Sequence, residues 1–319
     1  MCSETTHTLP GSPPTHPIKT WLTLLRAPNL LTVPGDPVAG AFLAAAGAQS
    51  AMAWTPIFQC ILASLSLYSS GLLANDYFDR EEDRQERPFR PIPSGAAQPR
   101  SVLITAILFS MAANAFAAEA GKGALLISLL LTAAVWAYNM GVKRLPLAGP
   151  LMMGTCRGLS LLLGAAACPS TPAVTPWLAA GFITVYIAVV TGIARTETHA
   201  GQTRGGSLII PATIILLGLS GLMFLHWEGV SPVFTLHASA FALGLSAMAV
   251  VWAGVWSGLL AGCQSPATVQ RVIGGLIRGM ILIQAAVCAI SGPSGEIGAL
   301  AILLAFPISG WLGKRFYGS

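Results

Sequence analysis

Charged residues are scarce in this sequence, and the motifs of the common soluble enzymes are absent. Only 9% of the 319 residues are charged, about a third of the roughly 25% that a soluble domain carries. The six cysteines are scattered without paired or metal-type spacing, which excludes a disulfide framework and a cysteine-based zinc site. No glycine-rich nucleotide-binding loop or hydrolase triad pattern occurs. The sequence therefore points away from the usual nucleotide-binding and hydrolytic classes.

Apolar residues take the place of the missing charge. They make up 54% of the chain, and the mean hydropathy is +0.69. Ten apolar stretches have about the length of a membrane span: 20–48, 56–76, 101–118, 123–140, 147–168, 175–194, 207–226, 234–260, 273–291 and 297–313. The composition therefore predicts an all-α integral membrane protein.

The lysine and arginine positions predict the orientation of these spans. If the amino terminus is cytoplasmic, fifteen of the seventeen basic residues fall on the cytoplasmic side, Lys122 falls on the other side and Arg157 lies within a span. This asymmetry is the positive-inside pattern of membrane proteins. We therefore expect a multi-pass protein of the inner, cytoplasmic membrane with a cytoplasmic amino terminus.

Two further expectations follow from charge and composition. The net charge of +5 is accounted for by the cytoplasmic loops, so it indicates no nucleic-acid partner. Residues 1–17 are rich in Pro, Ser and Thr and contain no apolar core, which predicts a disordered cytoplasmic tail. One transmembrane domain is then expected over residues 18–316.

The few acidic residues are concentrated in one stretch directly after the second apolar segment. Six of the twelve acids lie between positions 76 and 86, where a membrane helix would reach water. Asn75, Asp79 and Asp83 are four residues apart, so a helix would stack their oxygens along one face. Such oxygens suit Mg²⁺, which takes one or two carboxylates and completes its shell with water and phosphate. The alternative is a solvated, salt-bridged loop.

Arginines follow these acids, and their guanidinium groups suit phosphate oxygens. Arg87 and Arg90 are able to bind a diphosphate in bidentate fashion. The residues 87–100 contain several prolines and a Ser-Gly pair, which predicts a turn-rich cap rather than a continued helix. Acids for a metal followed by arginines for phosphate favour a lipid-diphosphate site over the solvated loop.

The stretch resembles the first aspartate-rich motif of the UbiA superfamily of intramembrane prenyltransferases. That motif reads Asn-x-x-x-Asp-x-x-x-Asp followed by Arg-Pro-Ile-Pro-Ser-Gly, and both parts are present here, the second at 90–95. The resemblance implies a bundle of nine or ten transmembrane helices around a lipid-accessible cavity with a cytoplasmic cap. It also implies an Mg²⁺-dependent transfer of an isoprenyl group from a prenyl diphosphate to an acceptor, most commonly an aromatic ring.

The resemblance also implies roles for particular residues. Asp79, Asp83 and Glu197 are the expected catalytic residues, and the expected metal ligands are Asn75, Asp76, Asp79, Asp83 and Glu197.

A second cytoplasmic loop of the family has its counterpart around Tyr138, Lys143 and Arg144. There the two basic residues either reach the diphosphate or serve only as positive-inside anchors.

Polar residues inside the spans supply further candidates for substrate binding. Asn29 and Asp36 lie in a proline-interrupted segment, which predicts a broken helix beside a cavity, since freed backbone groups need partners. Arg157 lies in the fifth span and needs a partner within the bundle. Asp36, Glu197 or a bound anion would serve, so both structural pairing and ligand binding stay open for Asp36 and Arg157.

The second acidic motif departs from the family pattern. The family places Asp-x-x-x-Asp at the end of the sixth span, whereas the corresponding stretch here, which includes the candidate substrate-binding residue Arg195, has Glu197 as its only acid. This departure, with the sequence at 157–164, resembles the divergent EboC-type UbiA-like branch. It leaves an alternative open, a non-catalytic protein that binds a prenyl or polyprenyl phosphate in a biosynthetic or export system. A secondary transporter is disfavoured because no internal repeat is visible.

Overall fold

The structure is a computed structural model, and it describes residues 17–48, 53–168, 174–195, 209–227, 235–262 and 266–317. Throughout these ranges the chain forms helices and turns without strands, which confirms the all-α prediction. The first seven helices are α1 (Pro17–Leu24), α2 (Ala27–Leu30), α3 (Gly35–Ala48), α4 (Trp54–Phe78), α5 (Arg80–Glu86), α6 (Pro99–Ala120) and α7 (Lys122–Met140).

A short 3-10 helix, Val142–Arg144, leads into the second half of the chain. There follow α8 (Ala148–Ala165), α9 (Val174–Arg195), α10 (Ile210–Trp227), α11 (Thr235–Gly262), α12 (Pro266–Ile290), α13 (Pro293–Leu303) and α14 (Ala305–Tyr317). The predicted tail 1–17 lies outside the described residues except for Pro17, which begins α1. The domain boundaries at 18 and 316 stay a prediction.

The chain is a multi-pass integral membrane protein. Within the described ranges, seven helical segments are long and apolar enough to cross a membrane: α4, α6, α7, α9, residues 240–260 of α11, residues 267–290 of α12, and residues 293–313 across α13 and α14. The other three predicted stretches contain α3, α8 and α10, which fall short of these seven in length or hydropathy. The number of spans, nine or ten, stays a prediction.

The side chains of α6 show how the helices meet lipid on one face and protein on the other. Ile104, Leu108 and Met111 are between 57% and 64% exposed, whereas Ala106 and Ala113 are fully buried. Large apolar residues facing outward and small ones facing inward are the arrangement expected where the solvent is lipid and helices pack closely. The exposed and buried faces of this helix thus agree with the membrane bundle that the composition predicts.

The first apolar stretch is a broken helix, as the prolines predicted. It is divided into α1, α2 and α3, with Pro28 in the first turn of α2 and Pro34 just before α3. Arg26 joins α1 to α2 in a left-handed conformation with φ 46°, which costs a non-glycine residue about 1–2 kcal/mol. The breaks leave Asn29 and the Thr32 carbonyl beside the central cavity.

Two glycines allow the backbones of α3 and α8 to touch. A side-chain carbon on Gly40 would collide with the Leu161 carbonyl, and one on Gly164 would collide with the Pro37 carbonyl. The close approach is reciprocal, one glycine on each helix, as in membrane bundles that pack through small residues. It fixes the position of α8 against the broken first segment, which is where Arg157 and Asp36 meet.

We predict that Gly164→Ala lowers the free energy of unfolding by about 1–3 kcal/mol, because the added methyl group overpacks a backbone contact that cannot yield. Thermal unfolding of the purified protein in detergent measures the change. Gly181→Ala on α9 is the matched control, because a methyl group there meets no atom within 4 Å. Equal stability of the two variants would contradict the proposed contact between α3 and α8.

Candidate functional site

A cavity of about 330 Å³ lies between α4, α7, α8, α9, α12 and the link from α2 to α3. Its walls are mainly apolar, with polar groups at two levels. Apolar side chains come from Leu67, Leu72, Leu131, Val135, Ile187, Val190, Ile273, Ile277 and Met280. The level nearest the acidic stretch, here called the mouth, has Arg26, Asn29, Asn75, Tyr138 and Thr191. The deeper level, called the inner wall, has Thr32, Ser64, Tyr68, Arg157 and Ser160.

Lys143 places a positive charge between two predicted metal ligands at the mouth. Its Nζ lies 2.5 Å from Oδ1 of Asp79 and donates a hydrogen bond of 3.2 Å to Oδ1 of Asn75. The side chains of Lys143 and Asp79 are only 12% and 17% exposed. An amide oxygen and a carboxylate oxygen thus converge on one cation in a partly desolvated position.

The other two acids of the motif share a different set of cations. Nη1 of Arg90 lies 2.7 Å from Oδ2 of Asp83 and 3.7 Å from Oδ1 of Asp76. Arg26 approaches Asp76 at 3.6 Å, and Arg87 approaches Asp83 at 3.9 Å. Asp76 and Asp83 are both buried, so these pairs are better insulated from water than ordinary surface ion pairs.

The expected stack of Asn75, Asp79 and Asp83 on one helical face is not what the structure shows. Asp83 shares Arg90 with Asp76, whereas Asn75 and Asp79 share Lys143. On a helix with 3.6 residues per turn, positions seven apart are nearly aligned, while two steps of four residues drift around the axis. The acids therefore separate into two neighbouring pairs.

The helix that carries the acids is also divided. It ends at Phe78 and resumes as α5 after Asp79, although the backbone N–H of Asp79 still donates to Asn75 and that of Asp83 to Asp79. After α5 the chain folds into turns up to Pro99, with Gly95 at φ 79°. The predicted turn-rich cap is therefore confirmed.

These residues fit a magnesium ion that is completed by substrate. Among the described residues no three His, Cys, Asp or Glu side chains are close enough to hold a metal ion together. Magnesium, however, needs only one or two carboxylates when phosphate and water fill its remaining positions. Asn75 and Asp79 already enclose the ammonium group of Lys143, which is the donor chemistry that such an ion requires.

The loop that carries Lys143 is held in place by Arg195. Nη2 of Arg195 donates to the Arg144 carbonyl at 3.0 Å, and Nη1 donates to the Leu145 carbonyl at 2.5 Å. Arg195 was predicted to bind substrate, but in this structure its guanidinium holds the loop backbone. The Arg144 side chain is exposed and is not among the residues that line the cavity.

Arg157 and Asp36 form a buried ion pair beside the inner wall. Nε of Arg157 lies 2.9 Å from Oδ2 of Asp36, and Nη2 donates to the Thr32 carbonyl at 2.8 Å. Gln284 of α12 donates to the same carbonyl at 2.8 Å and to Oδ1 of Asp36 at 2.6 Å. Of the two charged residues, Arg157 lines the cavity, whereas Asp36 is fully buried behind it.

Two of the remaining predicted residues line the cavity, and one lies outside the described residues. Asn29 and Tyr138 line the mouth, and their roles in substrate binding stay predictions. Glu197 lies outside the described residues. Its predicted catalytic and metal-binding roles therefore stay predictions.

Two residues that line the cavity were not predicted from the sequence as site residues. Arg26 lines the mouth and pairs with Asp76, and Tyr68 lines the inner wall. Gln284 was not predicted as a site residue either; it is not among the residues that line the cavity, and it completes the Asp36 pair. Tyr68 carries a signal that could have been used, since it lies seven residues before Asn75 and thus on the same side of α4.

Comparisons with known proteins show the family to which the chain is similar. Residues 37–253 match the sequence model of the UbiA prenyltransferase family. A digeranylgeranylglyceryl phosphate synthase from Methanothrix thermoacetophila is 30% identical over 61% of this chain and 71% of its own. The enzyme of that name from Halobacterium salinarum is 31% identical over 68% of this chain and 78% of its own.

Solved structures share the fold. A UbiA homologue from Archaeoglobus fulgidus bound to GPP and Mg²⁺ superposes with a TM-score of 0.58 at 15% identity, covering 85% of this chain and 99% of its own. A UbiA homologue from Aeropyrum pernix gives a TM-score of 0.61 at 18% identity, covering 80% of this chain and 96% of its own. The finer resemblance to the EboC-type branch stays a prediction.

We predict that Asp36→Ala lowers the free energy of unfolding by about 3–5 kcal/mol, because it leaves the buried Arg157 without its counterion. The double variant Asp36→Leu with Arg157→Leu removes both charges and should recover most of this loss. Thermal unfolding in detergent distinguishes the two variants. A double variant as unstable as Asp36→Ala would show that the loss does not come from the unpaired charge.

Proposed function

The chain belongs to the UbiA prenyltransferase family and is a membrane prenyltransferase, and from this premise we propose that it transfers an isoprenyl group from a prenyl diphosphate to a glyceryl lipid. The observation that carries the proposal is the mouth of the cavity. There Asn75 and Asp79 enclose a cation directly above an apolar channel. A diphosphate with an apolar tail has the matching distribution of charge.

Mg²⁺ is the metal that we propose for this site. Asn75 and Asp79 would hold it, Asp76 and Asp83 would supply a second acidic pair near it, and Glu197 would stand in place of the second acid pair of the family. The ion supplies positive charge to the diphosphate as the bond to the isoprenyl carbon breaks. Oxygen ligands and few carboxylates are what this metal requires when substrate phosphate completes the shell.

The basic residues around the mouth bind the donor's diphosphate. Lys143 is held at Asp79 only by charge and hydrogen bonding, so it is free to turn to a phosphate oxygen when another cation occupies its place. Arg87, Arg90 and Arg144 add positive charge at the rim. Arg195 acts through the loop backbone, which it fixes so that Lys143 reaches the site.

The transfer itself exchanges one carbon–oxygen bond for another. The bond between the allylic carbon and the diphosphate breaks, and its electron pair leaves with the diphosphate. An oxygen of the acceptor then forms a bond to that carbon, and the resulting oxonium loses its proton to water as the product leaves. The apolar channel holds the tail and keeps water away from the allylic cation.

The names of the relatives favour a glyceryl acceptor. Both relatives described above are digeranylgeranylglyceryl phosphate synthases, and we carry that acceptor class over to this chain. The aromatic acceptor expected from the wider superfamily stays a prediction. The alternative of a non-catalytic prenyl phosphate binder rested on the degraded second motif, and it is disfavoured because the relatives named here are synthases.

The orientation is part of the proposal. We place the mouth on the cytoplasmic side, because fifteen of seventeen basic residues fall there and the positive-inside pattern sets orientation. Prenyl diphosphates and magnesium are then available to the site from the cytoplasm. The tail of the donor reaches the channel from the bilayer.

We predict that Asp79→Asn lowers the transfer rate at least roughly 100-fold, because it removes charge that the leaving diphosphate requires. It should also abolish Mg²⁺-dependent binding of a non-hydrolysable geranylgeranyl diphosphate analogue to the purified protein. Glu81→Gln is the matched control, since Glu81 lies two residues after Asp79, in the first turn of α5, but is 64% exposed and pairs with Arg84. Unchanged metal-dependent binding in Asp79→Asn would overturn the site assignment.

The acceptor class is tested separately with wild-type protein, geranylgeranyl diphosphate and Mg²⁺. We expect geranylgeranylglyceryl phosphate to be prenylated and 4-hydroxybenzoate to be inert, with products followed by mass spectrometry. Prenylation of the aromatic acid alone would reject the glyceryl acceptor while leaving the prenyltransferase assignment in place.

A further inference from the structure

The inner wall of the cavity presents hydrogen-bond donors in a region where an all-carbon tail would need none. Arg157 is only 8% exposed and lines the cavity. Its Nε and Nη2 are used by Asp36 and Thr32, whereas Nη1 bonds to no residue that the structure describes. A guanidinium nitrogen that faces a cavity inside the bundle needs a bound group or water as its partner, since leaving it unpaired costs free energy.

Tyr68 adds a second donor to this wall. It lines the same cavity as Arg157. Its hydroxyl forms no hydrogen bond with another described residue. Just below it, the hydroxyls of Ser64 and Ser160 bond to each other at 2.6 Å and join α4 to α8. Arg157 and Tyr68 are therefore two groups on this wall with unused donors.

The depth of these groups places them on the far side of the reacting carbon. Tyr68 precedes Asn75 by seven residues on α4, which puts it about 10 Å further into the membrane at 1.5 Å per residue. An acceptor must approach the allylic carbon from the side opposite the departing diphosphate, to within about 3–3.5 Å. With the diphosphate at the mouth, that side is the one facing Tyr68 and Arg157.

The charge of the inner wall selects a neutral group. Asp36 already balances Arg157 at 2.9 Å, and the tyrosine and serine hydroxyls carry no charge. A phosphate or carboxylate at this depth would leave one negative charge uncompensated inside the bundle, which is costly in a membrane. The cations that could meet a negative group, Arg26, Arg90 and Lys143, lie near the mouth instead.

We propose that Arg157 and Tyr68 form a subsite for an uncharged oxygen of the acceptor, so that the enzyme takes lipids presenting a hydroxyl to the inner wall. The inference rests on the proposed function, because it uses the position of the diphosphate. An anionic group of the same acceptor binds at the mouth, near Arg26, and does not enter the inner wall. Arg157 and Tyr68 thus act as specificity residues, and Asp36 and Gln284 position Arg157.

The test uses the full chain in lipid nanodiscs and two probes, 1-O-hexadecylglycerol and hexadecyl phosphate, titrated calorimetrically with empty nanodiscs as background. Tyr68→Phe should weaken binding of hexadecylglycerol about five-fold, the factor for one net hydrogen bond of roughly 1 kcal/mol. It should leave binding of hexadecyl phosphate unchanged. Arg157→Lys, which keeps the charge beside Asp36, should also weaken hexadecylglycerol selectively.

Tyr186→Phe is the matched control. Tyr186 is fully buried and donates to the Leu276 carbonyl, but it is not among the residues that line the cavity. Loss of hexadecylglycerol binding in this control as large as in Tyr68→Phe would overturn the subsite. So would equal losses for both probes in Tyr68→Phe, or no binding of hexadecylglycerol to the wild type.

Binding of the geranylgeranyl diphosphate analogue with Mg²⁺ is measured on the same preparations. Tyr68→Phe should leave it unchanged, because the diphosphate binds at the mouth. Failure of the wild type to bind this analogue would reject the proposed function, whereas the hexadecylglycerol result would still decide whether the inner wall binds a neutral oxygen.

Discussion

The structure depends on the requirement that every charge within the membrane bundle have a partner. Arg157 lies in the middle of α8, and it is tolerated because Asp36 and the Thr32 carbonyl meet it, while Gln284 of α12 donates to both of these partners. The carbonyl is available because the first segment is broken at its prolines. One ion pair thus ties α3, α8 and α12 together, and the backbone contact through Gly40 and Gly164 holds two of them at the necessary distance.

At the mouth the same requirement is met by partners that are able to exchange. Lys143, Arg90 and Arg26 neutralise the acids of the motif through contacts between 2.5 and 3.7 Å. Their side chains are between 12% and 34% exposed, so a metal ion or a phosphate is able to reach the site and replace one partner of a pair. The fold therefore separates a permanent ion pair at depth from exchangeable pairs near the mouth, and this separation suits a site in which a metal and a diphosphate must enter and leave.

The sequence was sufficient for features that depend on local pattern. The membrane bundle, the broken first segment and the turn-rich cap follow from hydropathy and proline positions, and all are present. The sequence was insufficient to predict side-chain partners that depend on tertiary contacts. The sharing of Arg90 by Asp76 and Asp83 depends on the cap folding back, and Gln284 reaches Asp36 across 248 positions. The bonds of Arg195 to the loop carbonyls could not be predicted from a local pattern, and its role in substrate binding stays a prediction.

The separation of the two polar levels also explains why the cavity wall between them is apolar. If the inner wall were connected to the mouth by further polar residues, water would follow the polar path and intercept the allylic cation. Leu72 and Val135 line this cavity, so a polar ligand must bring an apolar portion of its own to fill it. An amphiphilic lipid satisfies this condition, whereas a small polar acceptor would leave the channel open to water. The geometry of the cavity therefore favours a lipid acceptor independently of the names of the relatives.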